Sequence, residues 1–194
     1  MSYNKISLLI SDFDGTLVDT FQANLAAYQE AFKECGNDLM PEQYRECFGY
    51  RFDKFMDYMG IFDIEIRKKI KEIKGEVYPK HFNLLKVNTS LLEFIKSFKA
   101  SGGKTTVAST ARKKNLMNAL NYIGATDCFD LILAGEDVIN GKPNPEIYLN
   151  VLSFFNVKPE EALIFEDSEI GMEAAINAGI PFIEINKNFY GDRG

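Results

Sequence analysis

Three short stretches of this chain concentrate side chains able to act on a charged substrate: Asp12-Phe13-Asp14-Gly15-Thr16, Ser109-Thr110 and Glu166-Asp167-Ser168. Each comes directly after a short apolar run, and Gly141-Lys142-Pro143 lies between the second and the third. Carboxylates gathered from two such stretches repel: a pair roughly 4 Å apart costs about 4 kcal/mol at an effective dielectric near ~20. A divalent cation removes that conflict, and an all-oxygen ligand set selects a hard one, most plausibly Mg²⁺ with several waters retained. With the cation and a lysine present, the cluster attracts a phosphate dianion, and one free carboxylate oxygen can act as nucleophile. Gly15 permits the turn that lets Asp12 and Asp14 reach one place. Taken alone, Asp14-Gly15 is an ordinary turn pair and Ser168 an ordinary helix cap.

For these groups to meet, the apolar runs must be strands whose carboxyl ends share one edge. Residues 6–10, 105–108, 131–134, 162–165 and 181–185 are such runs, as expected of strands buried on both faces of a parallel sheet. Helices separate them. Leu91, Leu92, Ile95 and Phe98 share a face, and Ser90 with Glu93 reads as a capping-box start. Leu116, Met117, Leu120 and Ile123 form a second face that ends before Gly124. Asn144 as cap and Pro145 at the first helical position announce a third helix, carrying Tyr148, Val151, Leu152 and Phe155. The last helix spans 168–178 and stops at Gly179 and Pro181. This alternation predicts an α/β fold with a doubly wound parallel sheet, whose ligands sit at the carboxyl ends of the strands.

From Thr20 to His81 only helical signals occur: a helix over 21–35 ended by Gly36, a restart at Pro41, and an apolar stripe of Ile66, Ile70, Ile73 and Val77. Residues 20–83 read as a small α-helical domain inserted after the first strand, with 1–19 and 84–194 forming the α/β core. The lysines around that stripe alternate with Glu65, Glu72 and Glu76, which marks a solvated face rather than a binding patch.

The net charge of −6 over 194 residues argues against a nucleic-acid partner, which calls for clustered basic surface. No run approaches the ~20 apolar residues of a membrane span, and the early run Leu8-Leu9-Ile10 is too short for a signal-peptide core. Cys35, Cys47 and Cys128 are widely spaced and lack metal-ligand spacing, which suits reduced thiols; a soluble, cytoplasmic protein is the expectation. The sequence sets no oligomeric state and is compatible with a monomer.

Asp12-Phe13-Asp14-Gly15-Thr16-Leu17-Val18-Asp19-Thr20, Ser109, Gly141-Lys142-Pro143 and Glu166-Asp167-Ser168, in that order, resemble the haloacid dehalogenase superfamily in its phosphatase and phosphoglucomutase-like branch. The match covers essentially the whole chain. The resemblance implies a core of this α/β type with a helical cap that closes over the strand ends. It implies Asp12 as the nucleophile of an aspartyl-phosphate mechanism and Asp14 as general acid and base. Ser109 would hydrogen-bond a phosphoryl oxygen, and Lys142 would offset charge on Asp12 and the transferring group. Mg²⁺ would be held by the carboxylates of Asp12 and Asp167 and the carbonyl of Asp14, with Glu166 nearby.

Gly15, Thr16 and Thr110 are expected close to substrate. Arg112 stands where mutase-like members carry a lysine that grips a second phosphate, and Arg51 is a similar candidate in the cap. Asn24 stands where the mutase branch carries a histidine. It cannot transfer protons at neutral pH, so the expected activity is hydrolysis of a small phosphomonoester, such as a sugar phosphate, rather than phosphosugar mutation. A third reading, a non-catalytic module that senses a phosphorylated ligand, is disfavoured by Asp14, for which a binder has no use. His81, the one histidine, reads as a surface or hinge residue.

Overall fold

A computed structural model of the protein describes residues 5–186. β1 (Leu8–Ser11) leads through a tight loop to β2 (Val18–Asp19). Four helices come next: α1 (Phe21–Glu34), α2 (Pro41–Cys47), α3 (Phe52–Tyr58) and α4 (Ile64–Val77), then a 3-10 segment over Tyr78–Leu84. The chain continues through β3 (Lys86–Val87), α5 (Thr89–Ala100), β4 (Lys104–Ala108), α6 (Lys113–Tyr122) and β5 (Leu131–Leu133). It ends with α7 (Glu146–Phe155), β6 (Ala162–Glu166), α8 (Glu169–Ala178) and β7 (Phe182–Glu184). The backbone divides into two units: Thr20–Leu85 forms one, and the remainder forms the other.

In the α/β unit five strands make one parallel sheet in the order β5-β4-β1-β6-β7. β1 is central, and its residues are buried on both faces, which is why the run reads as continuously apolar. Ser11 pairs with Val107 on one side and Phe165 on the other. In-register parallel pairing therefore delivers Asp12, Ser109 and Asp167 to a single edge. Below that edge Ile147, Tyr148, Val151 and Leu152 of α7 pack with Ala174, Ala175 and Ala178 of α8 against Leu8, Ile10, Ala162 and Ile164. Each large side chain buried there contributes roughly 1.5–3 kcal/mol before entropy is counted.

Two helix starts differ from the sequence expectation. α5 begins two residues earlier than a Ser90 cap suggests, because Asn88 is the cap: its side chain accepts from Leu91 N (3.1 Å), while its own N–H donates to the Leu17 carbonyl (2.9 Å). That tertiary anchor outranks the local capping-box pattern. α7 begins at Glu146, with Pro145 as its cap, while Asn144 Oδ1 accepts from Glu146 N (3.0 Å) just ahead of the helix. The antiparallel pair β2–β3, with Val18 opposite Val87 and Asp19 opposite Lys86, has strands too short to show any periodicity.

In the helical unit all four helices contribute to one core: Phe21 and Phe32 of α1, Tyr44 of α2, Phe55 and Met56 of α3, and Ile70 of α4. The Tyr28 and Phe55 rings meet edge-on with centroids 5.1 Å apart. Asp63 caps α4 by accepting from Glu65 N and Ile66 N (2.8 and 3.1 Å). Ile70 and Val77 of the stripe are buried, and Ile66 and Ile73 are half-buried. His81 Nε2 lies 2.6 Å from Glu30 Oε1. Among the described residues no helix is long and apolar enough to cross a membrane.

Candidate active site

Asp12 is the first residue past β1, and its backbone N–H donates to the Phe165 carbonyl (3.0 Å), so β6 fixes it directly. The chain then folds back on itself: Val18 N donates to Phe13 O (3.0 Å) and Gly15 N to Val18 O (2.8 Å). Gly15 sits at φ +92°, and a Cβ there would lie 2.1 Å from Asp167 Oδ2. Only glycine lets the loop pass that carboxylate. Thr16, with no exposed surface, donates through Oγ1 to Asp167 Oδ1 (2.9 Å). Its carbonyl accepts from Asn88 Nδ2 (3.3 Å), so the cap of α5 braces the loop from behind.

Ser109 lies just past β4 and is held by its N–H on the Leu133 carbonyl (3.0 Å). Its Oγ accepts from Ala111 N (3.0 Å) and lies 3.4 Å from Asp14 Oδ2. Thr110 is half-buried, and its carbonyl fills the place where a Cβ on Gly135 would stand, 2.5 Å away. Lys142 enters on the loop before α7. Glu146 braces that loop by accepting from Ile139 N (2.7 Å) and Asn140 N (2.9 Å).

Lys142 Nζ donates to Asp12 Oδ1 and to Glu166 Oε2, both at 2.7 Å, and its side chain is 2% exposed. Glu166 is saturated with donors. Oε1 accepts from Asp167 N, Ser168 N (each 3.2 Å) and Ser168 Oγ (2.8 Å), and Oε2 accepts from Lys142 and from the Tyr148 hydroxyl (2.9 Å). The first turn of α8 wraps this carboxylate so closely that a Cβ on Gly171 would lie 2.0 Å from its carboxyl carbon. Ser168 serves twice, donating to Glu166 and capping α8 by accepting from Gly171 N (3.1 Å).

The electrostatics are set by burial. Loss of water, reinforced by Glu166, holds the Asp12 carboxyl well above the ordinary carboxylate range, against the pull of Lys142. Asp167 is pushed up to about 7, by burial first and Glu166 second. Burial pushes Glu166 the same way, but Lys142, Ser168 and Tyr148 outweigh it and keep that carboxyl low. Lys142 stays protonated, because Asp12 and Glu166 overcome its desolvation. Burial also raises the Tyr148 phenol, so its hydroxyl remains a donor. Ligand oxygens of Asp12, Glu166 and Asp167 lie within 4.8 Å of one another. A cluster of carboxylate oxygens is the kind of donor set a hard dication takes.

This arrangement predicts a pH dependence for the metal-free protein. Between the ordinary aspartate value of 3.8 and about 7, folded Asp167 holds a proton that the unfolded chain has released. Stability therefore falls as pH rises across that window and levels off above it. Glu166, Asp130 and Asp137, whose carboxyls are held low, act at more acid pH and do not mask it. Asp12, whose carboxyl is also held high, adds to the slope in the same direction. Melting curves in EDTA from pH 5 to 8 should show the slope, and Asp167→Asn should make it shallower without abolishing it. Equal slopes in both proteins would refute the assignment.

The fold thus gathers Asp12, Asp14, Ser109, Lys142, Glu166 and Asp167, with Gly15 and Thr16 behind Asp167. Thr16, expected close to substrate, is fully buried, and its hydroxyl donates to Asp167. Arg112 is exposed just before α6, 3.8 Å from Glu136, which offers it a solvated ion pair. Asn24 is buried on α1, and Arg51 is exposed at the start of α3, both within the helical unit. Tyr148, read from sequence as one more apolar position of its helix, belongs to the site. The available signal was its type: a tyrosine on the inward face of a helix needs a partner for its hydroxyl.

The chain matches the family model described as haloacid dehalogenase-like hydrolase over residues 9–185. It is 33% identical to the phosphorylated carbohydrates phosphatase of Thermotoga maritima, over 89% of this chain and 81% of that protein. It is 25% identical to the pyrophosphatase PpaX of Halalkalibacterium halodurans, over 91% and 81%. Among solved structures it resembles CbbY from Rhodobacter sphaeroides in complex with xylulose-(1,5)bisphosphate, with a TM-score of 0.83, 26% identity and coverage of 96% and 88%.

Proposed function

The chain belongs to the haloacid dehalogenase-like hydrolases, and from that membership we propose that it is a Mg²⁺-dependent phosphatase of small phosphomonoesters, acting through an aspartyl-phosphate on Asp12. The observation that carries the reading is the pairing of Asp12 Oδ1 with Lys142 at 2.7 Å inside a cluster of carboxylates. A buried aspartate whose charge is balanced by one fixed ammonium is held in place to attack phosphorus.

An oxygen of Asp12 forms the new bond to phosphorus while the ester P–O bond breaks. Asp14 gives its proton to the departing alkoxide, then takes one from the water that releases inorganic phosphate and regenerates Asp12. Ser109, beside Asp14, donates to a phosphoryl oxygen. Lys142 uses two of its three N–H groups on Asp12 and Glu166, which leaves one for the phosphoryl group. Asp12, Asp167 and the Asp14 carbonyl would hold the Mg²⁺ directly. Glu166, both of whose oxygens are already engaged, shapes the site from behind, and Thr16 orients Asp167. The dication, when bound, neutralises the carboxylates and polarises phosphoryl oxygens.

A sugar phosphate is the favoured class. Support comes from the similarity to a phosphatase named for phosphorylated carbohydrates and to a protein crystallised with a sugar bisphosphate. By their place in the sequence we assign substrate choice to Asn24, Arg51 and Arg112, with Thr110 beside Ser109.

A phosphomonoester panel with and without EDTA tests the whole reading. Phosphate release is expected with Mg²⁺, lost in EDTA and restored by excess Mg²⁺. Release that ignores EDTA, or none from any ester, would sink it. Glucose 1-phosphate with a trace of the bisphosphate should yield free phosphate. Conversion to glucose 6-phosphate without phosphate release would make the protein a mutase.

A further inference from the structure

We infer that Tyr148 is a positioning residue for phosphoryl transfer: its hydroxyl, seated on Glu166 Oε2, keeps Lys142 shared between Glu166 and Asp12. This rests on the phosphatase reading above and adds to it a residue that does not touch substrate.

Tyr148 is 0% exposed and stands on the first turn of α7, six residues beyond Lys142, so one braced segment brings both donors to the same oxygen. The ring packs among Leu8, Ile10, Ile164 and Ala174, a role phenylalanine would fill equally well. The hydroxyl is what packing does not explain. Lys142 has two carboxylates to choose between at equal distance, 2.7 Å each. In a site this dry a carboxylate oxygen facing only an ammonium draws it strongly, because little else screens the charge. A second donor on that oxygen disperses its charge and weakens the pull. Lys142 then stays on Asp12, where charge changes as phosphorus is transferred. Without the hydroxyl Lys142 moves towards Glu166, and Asp12 loses part of its counter-charge.

Tyr148→Phe tests this with p-nitrophenyl phosphate at saturating Mg²⁺. We expect kcat to fall about 10-fold, the effect of losing one hydrogen bond to a charged group. KM and the Mg²⁺ concentration for half-activation should stay within about twofold, and the melting temperature within a few degrees. Because the hydroxyl acts through Glu166, Tyr148→Phe combined with Glu166→Gln should lose no more than Glu166→Gln alone. A purely structural tyrosine would shift the melting temperature and leave kcat untouched. The role is overturned if Tyr148→Phe keeps kcat within about twofold of wild type, or if the two losses multiply. An active wild type beside a normal Tyr148→Phe removes the tyrosine's role alone. A wild type that hydrolyses no ester removes the phosphatase reading, and the tyrosine's role with it.

Discussion

Asp12→Asn should reduce turnover of every phosphate ester by at least ~10⁴-fold, as expected when the attacking atom itself is lost, while the protein stays folded. The amide is nearly the same size, and its oxygen can still accept from Lys142. What changes is nucleophilicity and charge. In the metal-free protein the charged carboxyl is disfavoured by burial and by Glu166, so the neutral amide relieves a penalty wherever the carboxyl would ionise. The variant's melting temperature in EDTA should therefore equal or exceed that of wild type, and the rise produced by added Mg²⁺ should shrink. Loss of activity with retained or raised stability separates a nucleophile from a structural aspartate. Activity within about 100-fold of wild type would end the assignment.

Much of this site is visible in one dimension because parallel sheets impose a strong pattern. β1, β4 and β6 read as strands because they are covered on both faces, and the residues just past the end of such a strand must emerge at the carboxyl edge. Hence Asp12, Ser109 and Asp167 could be brought together from the sequence. Features made only by tertiary contact were not legible. Asn88 displaces Ser90 as a cap because the Leu17 carbonyl anchors it from a distant part of the chain. Thr16 sits inside a motif beside two aspartates, and nothing in one dimension shows that its hydroxyl reaches Asp167, 151 residues away. Glu166 reads as a metal ligand by type and place, and the five donors that engage its carboxylate come from distant residues, backbone groups and a helix-cap serine that the sequence does not mark as its partners. Tyr148 is hidden for the opposite reason: its ring satisfies the helix pattern so well that nothing draws attention to the oxygen at its end.

Lys142→Met should be the most damaging single change to the site as a structure. Lys142 is the cation hydrogen-bonded to both Asp12 and Glu166, and all three side chains are buried. Removing one partner from a buried ion pair leaves an uncompensated charge and typically costs about 3–5 kcal/mol. Methionine preserves most of the volume, so the loss is electrostatic rather than a cavity effect. Near neutral pH we expect unfolding free energy to fall by about that much, and kcat to fall ~10³-fold as the charge facing the transferring group disappears. The pH dependence identifies the cause. Without the ammonium, the carboxyls of Asp12 and Glu166 both move upward, so on acidification the folded state takes up protons that the unfolded chain does not yet bind. The stability deficit should therefore narrow between pH 8 and pH 5, measured by denaturant titration in EDTA. Lys142→Arg should not restore activity, because the planar guanidinium cannot place one compact charge between two carboxylates on this geometry. A Lys142→Met protein as stable as wild type at pH 8, or one whose deficit is the same at both pH values, would show that Lys142 does not hold Glu166 in its charged form.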